Sequence, residues 1–176
     1  MKKISLIIAF ILVSFVSISS QQGVAGKEIK NRDVEWSDFV GEIDESSNFD
    51  AYTTWKITYT YSKPTFKNDI AQVTATVRLF LGSDSWVRPD KRTPSLINHE
   101  RGHYKIGRIC AREIEETINS TDFDRNDYVQ QINELFSEIL EKYKEFEKDY
   151  DAETNHYNNQ EQQTVWDKKL DDLLKQ

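Results

Sequence analysis

The chain of 176 residues carries a single cysteine, Cys110, so no disulfide can form within it and stability must come from core packing. It has no internal repeat and no low-complexity tract. Basic residues are few and unclustered: 23 Lys and Arg stand against 30 Asp and Glu, for a net charge of −7. That balance argues against a nucleic-acid backbone as partner, which wants clustered cations, and favours solubility. One long apolar run exists, Ile4 to Ile18 (ISLIIAFILVSFVSI), and it is short for a bilayer span of about 20 residues. With Met1-Lys2-Lys3 ahead of it and Ser17-Ile18-Ser19 behind, it reads as a signal peptide over residues 1–20. No cysteine lies near the cleavage point, which argues against a lipoprotein. The expectation is an exported protein, periplasmic or secreted, with no stable membrane insertion after cleavage.

What remains is one domain's worth of chain. Residues 21–33 (QQGVAGKEIKNRD) are polar and read as a flexible leader, with a single domain over 34–176. In Ala51 to Ser62 (AYTTWKITYTYS), Trp55, Ile57, Tyr59 and Tyr61 alternate with polar residues. Ile70 to Leu81 (IAQVTATVRLFL) alternates likewise through Val73, Ala75, Val77, Leu79 and Leu81. A period of two predicts half-buried strands of an antiparallel sheet. Pro64, Asn68 and Asp69 between them suit a hairpin loop, and Val34 to Ile43 (VEWSDFVGEI) supplies a further candidate strand.

From residue 93 the period lengthens. Thr93-Pro94 reads as an N-cap followed by a first-turn proline. Beyond it His99, His103, Ile106, Cys110 and Ile114 share one helical stripe, on which Cys110 is expected to be buried. A second helix is predicted from about Asn126 to Tyr150, with the stripe Val129, Ile132, Phe136, Ile139, Tyr143, Phe146 and Tyr150. A third runs from about Gln160 to Leu174, presenting Trp166, Leu170 and Leu174. Strands first and helices after predict an α+β domain: a small antiparallel sheet, then the histidine-bearing helix, then two more helices.

Two of the three histidines lie in Asn98-His99-Glu100-Arg101-Gly102-His103. Positions i and i+4 of a helix stack on one face, so both imidazoles can reach one ion. Glu100 projects about 100° further round, where it can serve as base to a metal-bound water rather than as a ligand. This is the H-E-x-x-H spacing of zinc metalloproteases, although the spacing alone also suits two histidines satisfied by neighbouring carboxylates. An open catalytic site needs a third protein ligand. The extended motif would place a histidine at Ile109, and there is none; Glu134, Glu138 and Glu141 are explained more simply as a solvated helix face. The remaining histidine is His156, in YDAETNH, where the chain turns back after the second helix.

Ser85-Trp86-Val87, Leu96-Ile97-Asn98-His99-Glu100-Arg101-Gly102-His103, Ala111-Arg112, and Tyr150-Asp151 with Thr154 and His156 together resemble a bacterial family, domain of unknown function 922. Its members are described as predicted zinc-dependent proteases of the zincin-like superfamily. The resemblance spans about Trp36 to Trp166. It implies a zincin-like fold, one Zn²⁺ held by His99 and His103, and Glu100 as the base. The Asp-x-x-Thr-x-His pattern implies His156 as third ligand. Asp151 is the runner-up, as ligand or as a carboxylate orienting a histidine, and Glu153 stands behind both. A peptide or protein is the implied substrate. Trp86 is a candidate substrate contact at a sheet edge. Tyr157 stands where the family usually has glycine and is a candidate oxyanion contact, a packing role being the alternative. Tyr104-Lys105 departs from the family's aromatic-acidic pair. Hydrolysis of peptide bonds is the leading expectation, and a non-catalytic, zinc-stabilised binding domain is the alternative.

Overall fold

The computed structural model describes residues 26–175, so the expected signal peptide lies outside the described residues. Strands β1 (Gly26–Lys27), β2 (Ala51–Tyr52), β3 (Trp55–Tyr61), β4 (Thr65–Lys67), β5 (Ile70–Gln72), β6 (Ala75–Gly82) and β7 (Trp86–Val87) precede helix α1 (Pro94–Ser120). Strand β8 (Phe123–Asp124) leads into α2 (Tyr128–Thr154) and α3 (Gln160–Lys175). The architecture is α+β, as the order of periodicities predicts.

The two alternating segments pair antiparallel in register, with Trp55 opposite Leu81, Ile57 opposite Leu79, Tyr59 opposite Val77 and Tyr61 opposite Ala75. Both apolar faces therefore turn the same way, onto α1. Gly107 allows the close approach, since a Cβ there would meet Leu79 Cδ1 and the Trp55 ring at 3.0 Å. The sheet order is β1-β6-β3, so among the described residues the outer side of β3 has no strand partner.

Three sequence expectations are corrected. Ile70 to Leu81 is not one strand: it breaks at Val73-Thr74, and β5 joins β4 and β8 in a separate small sheet. At the break the backbone is held by side chains, Ala75 N donating to Asn119 Oδ1 at 2.6 Å and Val77 N to Glu115 Oε2 at 2.7 Å. Val34 to Ile43 forms no strand but a 3-10 turn at Trp36–Asp38. There Asp38 accepts from the Glu35 backbone at 2.9 Å, a local bond that competes with a sheet ladder. Asp38 is buried, and it also receives Arg32 through two bonds and Lys27 through one, which hold its carboxyl well below the usual range. Those contacts and the pairing of β1 with β6 order the end of the leader that reads as flexible, and bury Ile29.

On α1 the N-cap is as expected, Thr93 accepting from Leu96 N at 3.2 Å with Pro94 in the first turn. The whole stripe His99, His103, Ile106, Cys110, Ile114 is buried. Helix α2 lies antiparallel to α1, with Glu113 against Lys142 and Tyr143, and His99 against Tyr150 and Asp151. Its end falls one turn later than the periodicity predicts, at Thr154. Helix α3 closes the far side of α1 through Trp166 and Leu170.

Candidate metal centre

The late end of α2 decides the geometry of the site. Asp151 sits on the helix rather than in a turn, and its Oδ1 lies 3.1 Å from Nε2 of His99 and 3.1 Å from Nε2 of His103. After Thr154 the chain leaves the helix through three consecutive left-handed residues, Asn155 (φ 47°), His156 (φ 49°) and Tyr157 (φ 71°). That turn returns His156, whose Nδ1 comes to 3.4 Å from the same Asp151 oxygen. A glycine at position 157 would adopt this conformation at no steric cost, and Tyr157 does not. The ligand atoms of His99, Asp151 and His156 fall within 4.8 Å of one another, with His103 joined to them through Asp151.

The far nitrogens of the two helical histidines are fixed by partners that sequence reasoning missed. Gln163 on α3 donates its amide N–H to Asp167 Oδ1 at 2.9 Å and to the Tyr150 hydroxyl at 2.8 Å. Its carbonyl oxygen is thereby turned to Nδ1 of His99, 3.2 Å away. An amide oxygen only accepts, so the His99 proton is on Nδ1. Nδ1 of His103 lies 3.2 Å from Oε1 of Glu147, a carboxylate that also accepts from Trp55 Nε1 at 2.8 Å. Both rings thus donate from Nδ1 and turn Nε2 towards one carboxylate oxygen. Two lone pairs and an anion at 3.1 Å repel unless positive charge is shared among them, which a proton or a metal ion supplies. Burial opposes charge on His103, but its bonds to Asp151 and Glu147 prevail and raise it to about 10. Burial likewise opposes charge on Asp151, and the two histidines nonetheless hold its carboxyl well below the usual range.

Glu100, only 3% exposed, lines the same pocket as this cluster and accepts the Thr53 hydroxyl on Oε2 at 2.5 Å. Tyr150 supports the histidine-bearing turn, its ring stacked on His99 at 4.7 Å and its hydroxyl donating to the His99 carbonyl at 2.9 Å. Gly102 makes room for this hydroxyl, since a Cβ there would overlap it. The close neighbour of Gly102 is thus a tyrosine side chain and not another backbone.

His99, Glu100, His103, Glu147, Asp151 and His156 line a cleft of about 840 Å³ between the β2–β3 segment and α2. Tyr157 also lines it, but donates its hydroxyl to Asp50 Oδ2 at 2.6 Å. Trp86 does not line it: paired in β7 opposite Tyr52, it is buried. Glu134, Glu138 and Glu141 are on the solvated face of α2, and Glu153 accepts from Trp166 instead. Of the residues missed, Glu147 left a faint signal, one helical turn before Asp151 on the same helix. Gln163 and Thr53 left none, since neither falls in a spacing pattern with the histidines.

Fold and site together define an α+β domain in which a buried helical histidine pair, a neighbouring glutamate and a helix-borne aspartate meet at the wall of one cleft. The chain belongs to the family described as bacterial protein of unknown function (DUF922), which it matches over residues 28–157. Neither a curated protein nor a solved structure matches it. The matched stretch ends just after the left-handed turn, so α3 and its Gln163 lie beyond it.

Proposed function

We propose that the protein is an exported zinc-dependent metallopeptidase with a zincin-like arrangement of sheet and H-E-x-x-H helix. The observation that carries the reading is the meeting of two Nε2 atoms at Asp151 Oδ1, with both Nδ1 protons held elsewhere and buried Glu100 adjacent on the cleft. Buried histidines whose other nitrogen is anchored by a carboxylate or an amide are the usual design of a metal site. His99, His103 and Asp151 would hold the ion, Asp151 taking the third place expected of His156. When bound, zinc would polarise the scissile carbonyl and acidify a water. Glu100 accepts the proton of the attacking water and returns it to the leaving amine. Thr53 holds the Glu100 carboxylate in position for both transfers. The test is Glu100→Gln: zinc content is kept and hydrolysis falls by about 10² or more. Unchanged hydrolysis removes Glu100 from the role.

One contact favours a second reading, the approach of His156 Nδ1 to Asp151 at 3.4 Å. Four protein ligands would close the site and make the ion structural, in a binding domain without turnover. In that case His156→Ala would lower zinc affinity as strongly as His99→Ala does. Under the peptidase reading it leaves most of the affinity in place.

A further inference from the structure

Trp55 opens β3, lines the cleft, and is joined to the histidine cluster through one oxygen of α2. Its indole N–H donates to Oε1 of Glu147 at 2.8 Å, and the same oxygen lies 3.2 Å from Nδ1 of His103. An indole nitrogen donates and never accepts, so the first bond has one direction and the carboxylate is its acceptor. Nε2 of the same imidazole stands 3.1 Å from Asp151 Oδ1. An unbroken chain of polar contacts thus runs from the strand that walls the cleft, through Glu147 and His103, to Asp151.

The fold places the indole there by two constraints. In the β3–β6 ladder Trp55 lies opposite Leu81, which fixes its position along the strand. On α1, Gly107 stands one turn after His103 and admits the ring, since a Cβ there would meet Trp55 Cγ and Cδ2 at 3.0 Å. Glycine is a poor helix former, and this one interrupts the middle of α1 where the indole approaches.

Glu147 needs a second anchor. Its side chain is 24% exposed, so the carboxylate stands at the edge of the solvent. Lys144, three residues before it on α2, is at the spacing at which helical residues pair. Yet Lys144 and Lys148 pair with Glu141 and Glu145 instead. Among the described residues, Trp55 is the one side chain besides His103 that bonds to this carboxylate. The partner of His99 is held in the same manner, Gln163 being fixed by Asp167 and Tyr150. Each histidine therefore has an anchor that is itself anchored, with the support of His99 coming from α3 and that of His103 from β3.

Resting on the zinc-site reading above, we infer that Trp55 is a positioning residue of the metal centre. Its indole N–H keeps the Glu147 carboxylate on Nδ1 of His103 and so aims Nε2 of that ring at the ion. The cleft wall and one metal ligand are thereby tied together.

The test is zinc affinity, read by competition against a chromophoric chelator, with the visible spectrum of the Co²⁺-loaded protein as a second readout. Trp55→Phe keeps an aromatic ring and removes the donor. It is expected to weaken zinc binding about tenfold, the lower end of the range that loss of a ligand's hydrogen-bond partner brings, and to alter the Co²⁺ spectrum. In a Glu147→Ala background the same substitution should change the affinity by less than about twofold, because the group it acts through is gone. Ile57→Val, also packed against the core from β3, removes packing without touching Glu147 and should leave both readouts unchanged. In the wild-type protein the indole N–H proton resonance of Trp55 should shift on zinc loading, and Glu147→Ala should abolish the shift. That measurement stands whether or not Trp55→Phe folds. Unchanged zinc affinity in Trp55→Phe, an equal loss in the Glu147→Ala background, or an indole resonance indifferent to zinc overturns the inference and leaves the zinc-site reading intact. Absence of zinc binding by the wild-type protein overturns both.

Discussion

The hydroxyl of Thr53, at the start of the cleft-lining edge, donates to Oε2 of Glu100 at 2.5 Å and joins two residues that no local pattern connects. This bond occupies Oε2 and fixes the orientation of the Glu100 carboxylate. Thr53→Val keeps the shape and removes the donor. On the peptidase reading it is expected to lower kcat about tenfold with little change in KM, whereas Thr53→Ser retains kcat. Equal losses in the two variants would show that Thr53 serves packing alone.

Glu147 is expected to govern metal affinity although it does not face the cluster. By holding the Nδ1 proton of His103 it keeps Nε2 available as a donor. Glu147→Ala should weaken zinc binding about 10- to 100-fold, read by competition against a chromophoric chelator. Glu145→Ala, on the exposed side of the same helix, should leave the affinity unchanged.

Gly102→Ala would drive a methyl into the Tyr150 hydroxyl, which is buried and bonded to both Gln163 and the His99 carbonyl. Overpacking of this kind costs about 1–3 kcal/mol, measurable as a lowered urea midpoint. Because the cause is one contact, Gly102→Ala and Tyr150→Ala combined should destabilise by less than their separate effects added together.

The metal-free protein should lose stability as pH rises through neutrality. His103 is raised from 6.5 to about 10, so the folded state binds a proton that the unfolded chain has already released in that interval. The contribution is complete below about pH 6.5 and declines above it, by roughly 1 kcal/mol per pH unit. Asp151 has the opposite sign, but its stabilisation is already complete well below pH 6 and is constant here. Cys110, pushed from 9.0 up to about 12 by burial, adds a further decline only at more alkaline pH. Urea midpoints in EDTA between pH 6.5 and 8 therefore isolate the histidine, and His103→Leu should flatten the slope. Zinc affinity should run the other way and rise with pH, since the ion displaces that proton.

By itself the sequence determined what depends on neighbours along the chain. Alternation in Trp55 to Tyr61 specified a half-buried strand. Thr93-Pro94 set the start of α1, and the i, i+4 spacing placed His99 and His103 on one buried stripe. These are consequences of strand and helix periods, which any local window contains. Asp151 came into view as a runner-up ligand only through the family resemblance, and the periodicity set the end of α2 a turn too early, because helix ends depend on capping and packing more than on period. Only the tertiary structure decided the company the histidines keep. The antiparallel packing of α2 brings Glu147 and Asp151 to them, α3 adds Gln163, and the β2–β3 segment gives Thr53 to Glu100. Those meetings rest on clearances such as that between Gly102 and Tyr150, which are set by the packing of whole helices and carry no period for a sequence to display.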